Sequence, residues 1–331
     1  MIENDVIFNC GPTSLSGTLL LPDGAAAAPV AVLVPGSGHH DRDETVCGHR
    51  PFRTIADHLV KQGIGTLRFD SRGVGGSSGS TEEVDFVSKV SDIKAAHAFL
   101  SSHTKVDHTR IALIGHSEGS LVAAAASYQC DCPVVMLAGP ALPMVELLHA
   151  QALIVSRSAG ASLEQIAHER NMNEHVFAAL LSNDNPADEV RGIIATALRS
   201  WPDVEWQSVD QISETAETMA GIVLAEDYRS LLRVDSPGIL SALDVPVLAI
   251  FGALDSQVEA VPNRKAFEAA TMGKPNVRAD TLERHNHLLQ VARTGLIEEY
   301  ETLGQAPSDL ALSHISAWLG RHLIERNAAL S

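Results

Sequence analysis

The stretch RIALIGHSEGSLVAAAAS, residues 110–127, places a single serine between two glycines, as Gly115-His116-Ser117-Glu118-Gly119. An apolar run precedes this pentapeptide and an alanine-rich run follows it, which predicts a buried strand, a turn and a helix. Where a strand enters a helix through so tight a turn, the residues two before and two after the serine crowd each other and must be small. Ser117 is therefore a candidate nucleophile, and a serine that only caps the helix is the alternative.

Apolar runs and helical patterns alternate through most of the chain. Strands are predicted at 29–36, 65–70, 110–115, 133–139, 245–252 and 276–282, and helices at 52–62, 84–103, 117–128, 262–272 and 308–326. A loosely alternating segment at 14–24, which ends in Pro-Asp-Gly, predicts an edge hairpin. Strands that alternate with helices indicate a mostly parallel sheet covered on both faces, so we predict the α/β class.

A helical segment at 141–235 interrupts this alternation. It holds four helical patterns, at 142–157, 162–182, 187–200 and 211–224. We predict an α/β core of residues 1–140 and 236–331 with a helical cap of residues 141–235. Because the cap follows the strand after the Ser117 helix, we expect it to emerge at the carboxyl edge of the sheet, where α/β proteins bind ligands. Trp206 is a candidate lining residue of a substrate pocket, and packing inside the cap is the alternative.

A serine nucleophile needs a base and an acid that orients the base. In folds that present the serine on such a turn, the acid follows a later strand and the histidine follows the last one. Asp255 is the first carboxylate after the predicted strand at 245–252. His285 and His287 both lie just past the final predicted strand, so position alone leaves two candidates for the base.

Five segments carry a resemblance to known proteins. They are PGSGHHDRDETV (35–46), PFRTIADHLVKQGIGTLRFDSRGVGGSSGS (51–80), GHSEGS (115–120), PVLAIFGALDSQV (246–258) and HNHLLQ (285–290). Together they resemble the bacterial α/β-hydrolase esterases of the EstD-like and serine-aminopeptidase-like group. The resemblance covers roughly residues 14–140 and 226–325 and implies the α/β-hydrolase fold with an inserted cap. Arg42, Asp43 and Glu44 belong to the same pattern, and we interpret them as an ion-pair network that holds a loop.

Carried over by position, the resemblance implies a catalytic triad of Ser117 as nucleophile, Asp255 as acid and His287 as base. His285 has no counterpart in the pattern and ranks second.

An oxyanion hole is expected from two backbone N–H groups that face the nucleophile. The residue after Ser117, Glu118, supplies one of them, and Ser37 in the Pro35-Gly36-Ser37-Gly38 turn supplies the other, with Gly38 as the alternative to Ser37.

The predicted reaction is hydrolysis of a small carboxylic ester through an acyl-enzyme. A peptidase or amidase, a thioesterase or acyltransferase, and a non-catalytic binding protein on the same scaffold are the alternatives.

Composition limits the partners of this chain. The 331 residues include 41 acidic and 24 basic side chains, for a net charge of −17, which disfavours nucleic acid and anionic membranes. The four cysteines lack the spacing of a disulfide framework or a zinc site, so we interpret them as ordinary thiols. The sequence thus predicts a cytoplasmic enzyme that acts on a small-molecule ester without a cofactor or metal. Its oligomeric state stays open, with a homodimer among the alternatives.

Overall fold

A single eight-stranded sheet forms the centre of the α/β unit. The computed structural model describes residues 1–206 and 208–325. Its strands are β1 (Ile2–Cys10), β2 (Thr13–Leu21), β3 (Ala28–Val34), β4 (Gly65–Phe69), β5 (Val106–His116), β6 (Val134–Leu137), β7 (Val247–Gly252) and β8 (Val277–Leu282). They lie in the order β1-β2-β4-β3-β5-β6-β7-β8. Neighbours from β4 to β8 run parallel, whereas β2 is antiparallel to both β1 and β4. The predicted α/β class with a mostly parallel sheet is confirmed.

The helices occupy the connections between these strands. They are α1 (Pro51–Lys61), α2 (Phe86–Ser102), α3 (Glu118–Cys130), α4 (Met144–Ser158), α5 (Leu163–Ser182), α6 (Ala187–Arg199), α7 (Val209–Leu224), α8 (Glu226–Leu232), α9 (Ser236–Ser241), α10 (Ala260–Ala270) and α11 (Asp309–Leu319). Short 3₁₀ turns lie at Thr81–Glu83 and Ile297–Thr302, and a π-helical turn at Gly320–Ile324 continues α11. Among the residues described, no helix has both the length and the apolar character needed to cross a bilayer.

The chain divides into two compact units. Met1–Leu142 and the described residues from Ser236 onward form one of them, and Pro143–Asp235 forms the other. In the first unit, side chains of β3, β5, β6 and β7 pack with α1 and α11 into an apolar core that is almost fully buried. The second unit has an apolar core of its own from α5, α6, α7 and α8. Whether this second unit acts as a lid stays a prediction.

Several elements differ from the sequence-based prediction. The sequence-based prediction lacks β1, because the alternation of apolar and polar residues in this strand is weak. Only Phe8 among its side chains is buried. β1, and not β2, forms this edge of the sheet. α3 begins at Glu118, which leaves Ser117 in the turn before it. The last helix was predicted to reach residue 326, and that residue lies outside the described part of the chain.

Candidate active site

Ser117 lies in a strained turn between β5 and α3. Its backbone has φ 52° and ψ −126°, a region that non-glycine residues rarely adopt. The Ser117 N–H donates to the carbonyl of Leu137 on the adjacent β6 at 2.9 Å, which anchors the turn to the sheet. The Ser117 side chain makes no capping hydrogen bond to α3. The conformation therefore differs from that of an ordinary serine cap, which has extended backbone and a side chain bonded to the helix.

The two glycines that flank Ser117 have no space for a side chain. A Cβ on Gly115 would lie 2.1 Å from the carbonyl oxygen of Gly119. A Cβ on Gly119 would lie 2.2 Å from the carbonyl oxygen of Val34 in β3. Both obstacles are backbone atoms that cannot rotate away. The turn therefore requires glycine at both positions, for the steric reason that the sequence pattern indicated.

Asp255 follows β7 and is held by the backbone of its own loop. Its Oδ1 accepts hydrogen bonds from the N–H groups of Gln257 and Val258, each at 2.8 Å. Its Oδ2 accepts from His287 Nδ1 at 2.8 Å. The Asp255 side chain is fully buried, so these three donors supply the polar surroundings that water would otherwise provide. Asp255 is thus fixed in place with one oxygen committed to the histidine.

His287 follows β8 in a loop closed by buried amides. Asn286 and Gln290 exchange a pair of hydrogen bonds at 2.9 Å, one between their side chains and one from the Gln290 N–H to Asn286 Oδ1. The neighbouring His285 points elsewhere, with its Nε2 2.7 Å from Ser308 Oγ at the start of α11. Of the two candidate histidines, the structure therefore places His287 against Asp255.

The His287 loop is also linked to the residue before the candidate nucleophile. Nε2 of His116 lies 3.0 Å from the backbone carbonyl of His287, and the two imidazole rings are 4.8 Å apart between centroids. Since Ser117 is the next residue after His116, the structure brings the Ser117 turn close to the pair of His287 and Asp255.

The turn after β3 approaches Ser117 closely. A Cβ built on Gly36 would lie 3.1 Å from Ser117 Cβ. The carbonyl of the next residue, Ser37, accepts from His40 Nε2 at 2.8 Å, which fixes the orientation of the Ser37–Gly38 peptide and hence of the Gly38 N–H. On the other side, Glu118 is the first residue of α3, so its N–H has no acceptor within the helix. The turn that carries Ser37 and the first residue of α3 thus both lie beside Ser117. Their role as oxyanion donors, and the choice between Ser37 and Gly38, stay predictions.

A small cavity adjoins the Gly36–Gly38 turn. Its volume is about 40 Å³, which is room for a few water molecules or a short acyl chain. Its wall is mostly apolar and includes Val34, Phe69, Val84, Ile93 and Val122, with Lys89 also present. The Lys89 ammonium bonds both carboxylate oxygens of the buried Glu118 at 2.9 and 3.0 Å, so it is already neutralised.

The acidic loop before α1 holds a contact that sequence reasoning missed. Arg42 pairs with Asp70 at 2.8 Å and Asp43 pairs with Arg68, as the predicted loop-holding network would require. Glu44 instead turns inward, where its Oε1 lies 2.9 Å from His116 Nδ1. Because these two residues are 72 positions apart, no local spacing in the sequence could have indicated the pair.

Trp206 lies in the second compact unit. Its indole packs against the apolar core of that unit, and its Nε1–H donates to the carbonyl of Leu198 at 2.5 Å. Trp201 packs on the same core and makes an edge-to-face contact with His168. These contacts fit a structural role for both tryptophans, and a role for Trp206 in a substrate pocket stays a prediction.

Comparisons with known proteins find alpha/beta hydrolases among the similar chains. Esterase EstD of Thermotoga maritima is 26% identical to this chain over 294 residues, which are 87% of this chain and 60% of EstD. The chain therefore spans less than two thirds of the length of that relative. The alpha/beta hydrolase GrgF from Penicillium superposes with a TM-score of 0.60 at 17% identity, over 98% of this chain and 99% of that chain. An esterase of Pyrococcus furiosus gives a TM-score of 0.56 at 18% identity, over 97% and 91% of the two chains.

The two solved structures show a shared fold, since their identities are too low to say more. The sequence comparison with a family model is more specific, because its match runs from residue 31 to residue 299 and so includes the Ser117 turn, Asp255 and His287. The chain belongs to the alpha/beta hydrolase family.

Proposed function

We propose that this protein is a serine hydrolase that cleaves small carboxylic esters through an acyl-enzyme. The observation that carries the proposal is the 2.8 Å hydrogen bond between His287 Nδ1 and Asp255 Oδ2, formed beside the strained turn of Ser117. Because the carboxylate can only accept, Nδ1 must donate, and this leaves Nε2 of His287 as the basic nitrogen. That nitrogen is the one that would take the proton of the Ser117 hydroxyl.

The reaction follows from these roles. Ser117 Oγ attacks the ester carbonyl carbon while its proton passes to His287 Nε2, and the carbonyl oxygen becomes an oxyanion. The N–H groups of Glu118 and Ser37 stabilise this oxyanion. When the intermediate collapses, the carbon–oxygen bond of the alcohol breaks and His287 protonates the leaving alcohol. Water then attacks the acyl-enzyme with His287 again as the base, which releases the acid and restores the serine.

Short acyl groups are the substrates that the first compact unit favours. The cavity beside the Gly36–Gly38 turn is about 40 Å³ in volume and is lined by apolar side chains together with Lys89, Arg72 and Asp92. We propose that the acyl group enters it from Ser117, in which case acetyl to butyryl chains fit better than long ones. EstD and the Pyrococcus furiosus protein are themselves called esterases, which supports an ester over an amide. The helical segment at 143–235 is proposed to contribute to substrate choice, since it is inserted between β6 and β7.

The experiment is a comparison of p-nitrophenyl esters with matched amides and thioesters, on the wild type and Ser117→Ala. We expect acetyl and butyryl esters to be the best substrates and Ser117→Ala to lower kcat by roughly 10⁴-fold. A fluorophosphonate should label Ser117 in the wild type, as shown by peptide mass spectrometry.

The matched control is Ser127→Ala in α3, the helix that follows Ser117, where the hydroxyl donates to the Ala124 carbonyl. If Ser117→Ala keeps a tenth of the wild-type ester hydrolysis, the proposed mechanism is wrong. If amides or thioesters exceed the esters in kcat/KM, the substrate class is wrong while the nucleophile stands.

A further inference from the structure

A buried carboxylate lies behind the candidate catalytic groups and takes no part in the proposed mechanism. Glu44 is 1% exposed and has φ 52°, a left-handed backbone conformation that is unfavourable for a glutamate. Its Oε1 accepts from the N–H of Gly36 at 2.7 Å and lies 2.9 Å from His116 Nδ1. A charged group held this deep in an unfavourable conformation requires compensating contacts. Both of these contacts are made by Oε1, whereas Oε2 is buried without a hydrogen-bond partner among the described residues.

His116 joins Glu44 to the candidate base. Its two ring nitrogens face two oxygen atoms, the Glu44 carboxylate at Nδ1 and the backbone carbonyl of His287 at Nε2. The carbonyl can only accept, so Nε2 must carry a proton. A second proton is needed in the bond between Nδ1 and Oε1, since two lone pairs cannot face each other there. Either His116 is an imidazolium or Glu44 is a carboxylic acid.

The charges around His116 favour the imidazolium. Burial by itself lowers the pKa of His116, but the charge and hydrogen bond of Glu44, the carbonyl of His287 and the charge of Asp255 together raise that pKa above its ordinary value. For Glu44, burial raises the pKa of the carboxyl. His116, the charge of His40 and the Gly36 N–H lower that pKa by more than burial raises it, so the pKa of Glu44 lies below its ordinary value.

We propose that Glu44 and His116 form a buried ion pair that positions both the general base His287 and the turn that carries Ser37. The Glu44 carboxylate holds the N–H of Gly36, one residue before the predicted oxyanion donor. The His116 imidazolium holds the carbonyl of His287. The proposal rests on the function proposed above, since it assigns a purpose to the pair only if Ser117 and His287 react.

The geometry makes Glu44→Gln the informative substitution. A glutamine amide cannot keep both links with a neutral His116, which has only one N–H. If the amide oxygen faces Gly36 and His116, it accepts from Nδ1–H, so Nε2 loses its proton and the His287 carbonyl loses its donor. If the amide nitrogen faces them instead, the Gly36 N–H meets another donor. In either orientation of the amide, therefore, one contact is lost: either the one from His116 to the His287 carbonyl or the one from residue 44 to the Gly36 N–H.

The first test measures kcat, KM and the rate of fluorophosphonate labelling of Ser117 for Glu44→Gln, His116→Asn and the double variant. Each single variant should lower kcat by about ten- to a hundred-fold while KM changes by less than about three-fold. The double variant should be no slower than the slower single variant, because the two residues act as one unit.

The matched control is Asp280→Asn, which removes a carboxylate charge from another histidine pair in the same unit. Asp280 Oδ2 lies 3.1 Å from His314 Nδ1 and does not contact the candidate site. Its kcat should stay within about two-fold of the wild type, even if its melting temperature falls as far as that of Glu44→Gln. A purely structural role of Glu44 would make the two variants alike in kcat.

The second test observes the protonation of His116 directly and does not depend on activity. Nitrogen-15 NMR of the wild type at pH 7–8 should show both ring nitrogens of His116 protonated, with the resonances assigned by their loss in His116→Asn. A single protonated ring nitrogen would overturn the ion pair, and a Glu44→Gln kcat above half that of the wild type would overturn the positioning role. If Ser117→Ala retains ester hydrolysis, the proposed function fails instead, while the NMR measurement still decides the ion pair.

Discussion

The substitution Asp255→Asn should lower kcat through the tautomer of His287 while leaving the fold around the proposed triad intact. The carboxylate has two unequal oxygens, because Oδ1 accepts from two backbone N–H groups and Oδ2 accepts from His287. In the asparagine variant the amide oxygen must stay with the two backbone N–H donors. If the amide nitrogen took that place, its hydrogens would point at the hydrogens of those two N–H groups, and no hydrogen bond could form. The amide nitrogen therefore points at His287 Nδ1 and donates to it.

This reversal forces the wrong tautomer on the base. His287 now has to accept at Nδ1, so its proton moves to Nε2, the nitrogen that should take the proton of Ser117. All hydrogen bonds of the carboxylate are kept, so the fold should be intact. Loss of the correct tautomer in a serine triad lowers kcat by roughly 10⁴-fold. At about 1.36 kcal/mol per factor of ten, this corresponds to about 5.4 kcal/mol of lost transition-state stabilisation.

The assay is kcat for p-nitrophenyl acetate, with the melting temperature measured in parallel. Asp280→Asn serves as the control, because it makes the same chemical change beside His314. We expect a melting temperature within a few degrees of the wild type for Asp255→Asn. An Asp255→Asn variant that folds and keeps more than a tenth of wild-type kcat would refute the assignment of Asp255 as the orienting acid.

The remaining predictions concern the base, the turn and the ion pair of the acidic loop. His287→Ala should abolish acylation whereas His285→Ala should reduce kcat only modestly, and an equal loss in both variants would contradict the choice of base. Gly119→Ala should prevent correct folding of the turn, because its Cβ would lie 2.2 Å from a backbone oxygen, and soluble Gly119→Ala with normal ester hydrolysis would contradict this. Burial raises the pKa of Asp70, but the hydrogen bonds from Arg42 and from backbone N–H groups outweigh burial, so the folded pKa lies below its ordinary value. The stabilisation from the ionised Asp70 is therefore fully present above the unfolded pKa of about 3.9 and is lost as the pH falls through the lower folded pKa. Arg42→Met should therefore lower the melting temperature most near pH 7, by roughly 4–7 °C if the pair contributes a few kcal/mol to the free energy of unfolding, and least below about pH 3. If thermal scans show the same loss of melting temperature at every pH, this linkage is wrong.

The central strands of the sheet could be predicted from the sequence because they are buried on both faces. β3 and β7 are buried at every position, so their apolar runs are continuous and predict strands directly. β4 is also buried throughout, although it includes Thr66 and Arg68. β1 shows the opposite case. Its position at the edge buries little apolar surface, so the sequence need not alternate strongly, and the weak pattern did not predict a strand. The short helices α8 and α9, of 7 and 6 residues, were missed because each is too short to establish a helical period.

The candidate site could be predicted only where its residues follow the chain order of the fold. Ser117 and Asp255 each stand directly after a predicted strand, so position indicated them. The choice of His287 over His285 came from the resemblance alone, and the structure explains it by the contact of His285 with Ser308. Glu44 was interpreted as a member of a surface-loop network, because its acidic and basic neighbours in sequence suggested partners nearby.

Close backbone approaches determine how rigidly Asp255 and His287 face each other. A Cβ on Gly252, at the end of β7, would lie 2.5 Å from the carbonyl oxygen of His285, and a Cβ on Gly295 would lie 1.6 Å from that of Leu254. The loop of the acid and the loop of the base are therefore in contact backbone to backbone on both sides of the Asp255–His287 hydrogen bond. The two backbones cannot move apart without breaking these contacts, among them the hydrogen bond from the Leu254 N–H to the His285 carbonyl at 2.8 Å. This arrangement fixes the base before a substrate arrives, so little reorganisation is required at the transition state. The same steric logic holds at Gly115 and Gly119 beside Ser117, so glycines without space for a side chain adjoin all three residues of the proposed triad.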